Sequence, residues 1–78
     1  MSGVVPQKTL NSNDNLDLCV STGLYFMVAS SLPSNAPSSG SGVLVVFKYN
    51  DYEIIQLSVQ INAPIKVRIY HGNWFMWK

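Results

Sequence analysis

VLVVFKYNDYEIIQLSVQI, residues 43–61, is the stretch on which the fold turns. Two runs rich in β-branched and aromatic residues flank Asn50-Asp51, a pair that tolerates left-handed backbone and suits a tight turn. The spacing predicts an antiparallel hairpin in which Tyr49 pairs with Tyr52, Phe47 with Ile54, Val46 with Ile55 and Leu44 with Leu57. IKVRIYH, residues 65–71, reads as a further strand after a turn at Asn62-Ala63-Pro64, because proline is tolerated at a strand's first position or in a turn. With Ile61 opposite Ile65, Val59 faces Val67 and Leu57 faces Ile69. Both registers predict the same core face: Leu44, Val46, Ile55, Leu57, Val59, Val67 and Ile69. The opposite face would mix Val43, Val45, Phe47 and Ile54 with Gln56, Ser58, Arg68 and Tyr70. That blend is too apolar for solvent and too polar for a second core, and it has the composition of an interface.

Upstream of the hairpin the chain changes character. Residues 1–14 are dominated by polar types and read as a lead-in segment. Asn13 or Asp14 is placed to cap one helical turn over Leu16, Leu18 and Cys19. Gly23 breaks that turn, and Leu24 to Ala29 has the composition of a strand. SSLPSNAPSSGSG, residues 30–42, is a loop of Ser, Pro, Gly and Asn, long enough to belong to function or flexibility. The expected class is mainly β, or α+β with one short N-terminal helical turn: a small antiparallel sheet with hairpins at Asn50-Asp51 and Asn62-Pro64, forming one domain over residues 15–78.

Composition narrows the function. A chain of 78 residues buries only about 60% of its unfolded surface, so its core gains from a partner. A net charge of +1 with 12% charged residues leaves no electrostatic footprint for nucleic acid or an anionic membrane. Cys19 is the single cysteine and sits in the apolar run Leu18-Cys19-Val20, which reads as a buried thiol. His71 is the single histidine, so no metal framework or cofactor is expected. Residues 1–6 lack the basic start and long apolar stretch of a secretory signal, and no apolar run approaches the ~20 residues of a membrane helix. The expectation is a cytosolic chain unless a larger assembly carries it out.

The candidate functional residues each have a plain structural reading beside the functional one. Trp74 and Trp77 read as closing the open end of a small sheet, and the alternative is a sugar platform in which Trp74, Phe75 or Tyr70 stacks on a saccharide; closure is favoured, because a tiny domain needs large aromatics for burial. Gln56 and Arg68 either contact a ligand or neighbouring subunit or bond to each other on the sheet. His71 reads as a turn residue, since no nucleophile or carboxylate is held near it by sequence. Asp14 and Asp17 resemble a carboxylate pair, but their spacing at a helix start favours capping.

NLDLCVSTGLYF, residues 15–26, resembles the opening of the pyocin-knob domains of phage tail fibres and R-type bacteriocin fibres. Later features keep that family's order: Asn35-Ala36-Pro37, Gly42 before the Val-Leu-Val-Val strand, Ile55-Gln56-Leu57, Arg68, and Gly72-x-Trp74-x-x-Trp77. Phe75-Met76 departs from it, standing where such domains more often carry small polar residues. The resemblance spans residues 15–78. It implies a non-enzymatic module of a phage tail fibre or receptor-binding protein, serving host-surface adhesion or fibre assembly. It further implies a homotrimer, a bacterial surface saccharide as a partner, and a place in the virion tail after assembly in the host cytoplasm. In that setting Gln56, Arg68, Tyr70, Trp74 and Phe75 are the ligand or subunit contacts, and Val43, Val45, Phe47 and Ile54 the oligomer interface. The alternatives are an accessory or catalytic fragment of a polysaccharide-degrading tail enzyme, which would need facing carboxylates across a cleft, and a purely structural trimerisation unit.

Overall fold

A computed structural model of the chain describes residues 7–78. Five strands form one sheet in sequence order: β1 (Gln7–Thr9), β2 (Gly23–Met27), β3 (Gly42–Asn50), β4 (Glu53–Gln60) and β5 (Lys66–His71). The class is mainly β, as expected, with hairpins joining β3 to β4 and β4 to β5. One strand was not foreseen. Gln7–Thr9 pairs parallel with Leu24, Tyr25 and Phe26, making the sheet mixed, and Leu10 behind it is buried. The domain boundary expected at residue 15 therefore falls inside the packed unit, while residues 1–6 of the lead-in lie outside the described residues.

The β3–β4 hairpin differs from expectation by one residue, and the consequence reaches across the sheet. Asn50 Oδ1 accepts a hydrogen bond from the Tyr52 amide at 2.8 Å, and Asn50 Nδ2 donates to Glu53 Oε1 at 2.9 Å. This side-chain turn moves the reversal to Asp51-Tyr52, pairs Asn50 with Glu53, and leaves Tyr49 as an extra residue where the register shifts. Val46 consequently pairs with Gln56 rather than Ile55, and Leu44 with Ser58 rather than Leu57. Side chains alternate with period two, so a one-residue slip turns every side chain of β4 to the other face. The β4–β5 register is also displaced, with Leu57 opposite Val67 and Ser58 opposite Lys66, but by two residues, which preserves the faces. The wider turn this leaves is negotiated by Asn62 at a φ of 59°, a left-handed conformation that asparagine tolerates.

The expected faces are corrected accordingly. Leu44 and Val46 are core residues as predicted, but their companions are Leu10, Leu16, Met27 and Ile54, with Gln56, Ser58, Gln60 and Arg68 buried among them. Ile55, Leu57, Val59, Val67 and Ile69, expected inside, stand on the other face, none of them fully buried. There they form apolar rows: Phe47–Ile55–Ile69, Leu24–Val45–Leu57–Val67 and Phe26–Val43–Val59. Val43, Val45 and Phe47 thus part company with Ile54, Gln56, Arg68 and Tyr70, and the mixed face expected from sequence does not exist.

The covered face carries the segments that lack strand partners. Leu16–Leu18 forms a single 3-10 turn capped by Asn15, whose Oδ1 accepts from the Asp17 amide at 2.9 Å; the cap is one or two positions later than predicted. The segment after β2 folds over the same face. Ser34 exchanges backbone hydrogen bonds with the 3-10 region, its amide donating to Asp14 O and its carbonyl accepting from Leu16 N. Where this segment enters β3 beside β4, Gly40 and Gly42 have no room for a side chain, since a Cβ on either would run into a backbone carbonyl oxygen, that of Ile61 or Val59. After Gly72, at a φ of 78°, the C-terminal tail returns along the outer edge of β5. There Phe75 N donates to Ile69 O and Lys78 N to Val67 O, which covers an otherwise unpaired strand edge.

Candidate functional site

Arg68, the chain's only arginine, organises the covered face. It sits directly opposite Gln56 on the neighbouring strand, not diagonally as the expected register had it. Its Nε donates to Gln56 Oε1 at 2.7 Å, and Gln56 Nε2 in turn donates to the carbonyls of Leu16 and Cys19 at 2.6 and 2.9 Å. One strand pair thereby supplies partners to backbone carbonyls that have no ladder of their own, which a buried loop requires. Arg68 Nη2 lies 2.9 Å from Asp17 Oδ1, an ion pair that is closed over on the arginine side and half open on the aspartate side. Burial pulls the Arg68 guanidinium below its ordinary pKa, and the adjacent Asp17 carboxylate counters that pull.

The tryptophans complete the clasp. The guanidinium carbon lies 4.0 Å from the Trp74 ring centroid and 4.7 Å from that of Trp77, so the cation rests against two π-faces. Each indole nitrogen also serves a loop carbonyl: Trp74 Nε1 donates to Asp17 O at 3.3 Å and Trp77 Nε1 to Asn35 O at 2.9 Å. Tyr70 meets Trp74 edge to face at 5.2 Å. A second polar cluster repeats the logic nearby, with Gln60 Nε2 donating to Ser38 O and Gly40 O at 2.8 and 2.7 Å and Gln60 Oε1 accepting from Ser58 Oγ at 2.9 Å. The loop of residues 30–42 is therefore strapped down by side chains of β4 and the tail.

Of the five ligand-contact candidates, Gln56 and Arg68 are buried and committed to partners within the chain. Tyr70 and Trp74 are half-buried beside them, and Phe75 is exposed. Trp74, Phe75, Met76 and Trp77 border a shallow open depression of about 390 Å³ with Asp17 and Asn35 on its far side. Of the interface candidates, Ile54 is buried in the core, while Val43, Val45 and Phe47 lie on the opposite face. Sequence reasoning missed Asp17 as the partner of Arg68, and it missed Gln60 and Asn35 as anchors. The signal for Asp17 was present in part: a chain with a single arginine and four acidic residues offers few ways to neutralise a strand cation.

Chemically, the site is poor in reactive groups. Among the described residues no three His, Cys, Asp or Glu side chains gather where a metal could sit. His71 is exposed, its Nδ1 3.8 Å from Glu53 Oε2. Burial, with help from Asp14, pushes the Cys19 thiol up and so disfavours the thiolate. No helix among the described residues is long and apolar enough to cross a membrane.

No protein-family model matches the sequence, and no curated protein matches it. Solved structures do. An N-truncated R2-type pyocin tail fibre is 25% identical and superposes over 100% of this chain with a TM-score of 0.82, the chain spanning 33% of that fibre. The R1 pyocin fibre of P. aeruginosa gives 22% identity with the same TM-score and full coverage of this chain, and the R2 pyocin fibre of P. aeruginosa gives 25%; this chain spans 22% of each. Less than two thirds of any of these fibres is represented. The whole chain is thus similar in fold to a portion of a tail fibre, and it is a pyocin-fibre-like domain.

Proposed function

We propose that this chain is a non-enzymatic knob module of a phage tail fibre or receptor-binding protein, assembled as a homotrimer in the virion tail and serving fibre assembly. The observation that carries the reading is the superposition of the whole chain, at a TM-score of 0.82, on fragments of tail fibres. The geometry of the covered face supports assembly over catalysis, because Arg68, Gln56 and Gln60 are spent on holding loops in place. A test is to put this chain into an R2-type pyocin tail fibre in place of the portion it superposes on. The chimera is expected to purify with the same number of chains as its parent and to keep its thermal midpoint within a few degrees. A chimera that disperses into unassociated chains would defeat the reading.

A second reading, adhesion to a bacterial surface saccharide, is favoured by the depression beside Trp74, where Phe75 and Met76 remain exposed. Aromatic rims of this kind stack on sugar rings. Titration of ¹⁵N-labelled chain with surface polysaccharide is expected to move the Trp74 and Trp77 indole resonances. Resonances that stay fixed at saturating polysaccharide would leave assembly as the only role.

A further inference from the structure

The ion pair beside the tryptophans is unfinished. Arg68 Nη2 and Asp17 Oδ1 stand 2.9 Å apart, yet both atoms are buried and neither has a hydrogen-bond partner, so the two touch as charges without a directed bond. The Arg68 side chain is 6% exposed, and among the described residues only its Nε finds a hydrogen-bond acceptor, Gln56 Oε1. Buried polar groups are normally paired, and one left without a partner is costly until something completes it. Both residues line the shallow depression that Trp74 and Trp77 border. The Asp17 side chain is 40% exposed to it and accepts no hydrogen bond from the described residues, and the last torsion of an aspartate is soft enough to turn its oxygens outward. We infer that the depression takes a neutral pyranose through two adjacent hydroxyls, one donating to the Asp17 carboxylate and its neighbour accepting from the Arg68 guanidinium.

The inference deepens the saccharide reading and rests on it. The lining selects the class of sugar. A hydroxyl both donates and accepts, so a vicinal diol serves a carboxylate and a guanidinium at once, which no single ionised group does. Asp17 and Arg68 are the only charged side chains among the described residues of the lining, and they cancel. A uronate would meet Asp17 as a like charge and an amino sugar would meet Arg68 as one, whereas a neutral ring meets no repulsion. Trp74, Phe75 and Trp77 supply apolar area for the C–H face of that ring. Both indoles are already fixed, Trp74 through Asp17 O and Trp77 through Asn35 O, and the guanidinium is braced 4.0 and 4.7 Å from their centroids. Little ordering is left for the moment of binding. An apolar side chain from a neighbouring subunit fits less well, because it would seal Nη2 and Oδ1 in without a partner.

The test is NMR titration of ¹⁵N-labelled chain with three neutral glycans, mannan, dextran and galactan, and with alginate, a polyuronate. At least one neutral glycan is expected to move the indole resonances of Trp74 and Trp77 together with the Nε–H resonance of Arg68. The same glycan, once periodate has opened its vicinal diols and the aldehydes have been reduced, should bind about tenfold more weakly or worse, and so should alginate. Asp17→Asn should also lose about tenfold, since an amide presents one acceptor where the carboxylate presents two. Phe75→Ala changes an exposed side chain, so it keeps the wild-type amide spectrum, and it should weaken binding several-fold. Indoles that stay fixed with all three neutral glycans overturn the inference, and the surface-polysaccharide titration then decides the adhesion reading by itself. Periodate-treated glycan or alginate that binds as tightly as the untreated neutral glycan overturns the diol and leaves saccharide adhesion standing. A neutral glycan that moves resonances elsewhere but neither indole has the same two consequences.

Discussion

The two faces of the sheet invert the usual relation between polarity and burial. On the covered side stand Gln56, Ser58, Gln60 and Arg68, from 0 to 6% exposed, while the open side carries phenylalanines, isoleucines and valines that keep large parts of their area in water. The difference follows from what covers each side. The covering segments are loops, and loops bring backbone carbonyls that need donors once water leaves. Gln56, Gln60, Trp74 and Trp77 provide those donors to Leu16, Cys19, Ser38, Gly40, Asp17 and Asn35. Among the described residues no loop covers the open face, so it has no such demand and its side chains are free to be purely apolar. Polarity inside marks where this chain closes on itself, and apolarity outside marks where it does not.

The sharpest way to break that contrast is Arg68→Ala. The change strands Asp17 and Gln56 and removes the cation from between two indoles, so a loss of about 3–5 kcal/mol in urea denaturation is expected, enough to unfold a small domain. Phe47→Ala, measured at concentrations where the chain is monomeric, should cost far less. If the two variants were equally stable, the polar clasp would not be what holds the covered face together.

Leucines sharpen the comparison within one residue type. Leu44 is fully buried and Leu57 only half so. Leu44→Ala should therefore lose about 3–5 kcal/mol and Leu57→Ala about 1–2 kcal/mol in the monomer. Equal losses would restore the faces expected from an Asn50-Asp51 turn. Gln60→Ala comes next, at about 1–3 kcal/mol, because it leaves the Ser38 and Gly40 carbonyls without their donor. Its more specific mark is hydrogen exchange. The amides of Leu16 and Ser34, which bond across the covering segments, should be protected in the wild type and should exchange faster in the variant.

The smallest effect concerns Cys19. Its pKa is raised by burial and then by Asp14, so the folded chain keeps the thiol proton at pH values where the unfolded chain has lost it. Stability should be unaffected below the ordinary thiol range, fall as pH rises through it, and level off above the raised folded value. Cys19→Ser should flatten that decline. A decline of the same size in Cys19→Ser would assign the alkaline sensitivity to Tyr25, whose pKa burial also raises.

Much of the architecture was legible because it depends on short-range chemistry. The β-branched runs, the breaks at Gly23 and Pro64, and the turns near Asn50 and Asn62 each announce an element through local backbone preference. The order of small motifs from Asn15 to Trp77 led to the tail-fibre fold that the solved pyocin structures share. The tryptophan pair was read as a closure for the small sheet, and its rings do pack on the core cluster. The pairing of Arg68 with Asp17 was legible only through the scarcity of acidic residues, because 51 residues of chain separate the two and no spacing rule joins them.

What the sequence by itself determined is the four strands between Leu24 and His71 and the two hairpins that join the last three of them. Which face of that set is the inside was decided only in three dimensions, by the Asn50 side chain. By bonding to the Tyr52 amide and to Glu53, it delays the turn by a residue and leaves Tyr49 unpaired. A strand pattern alternates with period two and is satisfied equally well by either register. The choice therefore rested on the turn that Asn50 sets and on the loops that close over the face carrying Leu44 and Val46, and the hydrophobic pattern of the strands contains neither.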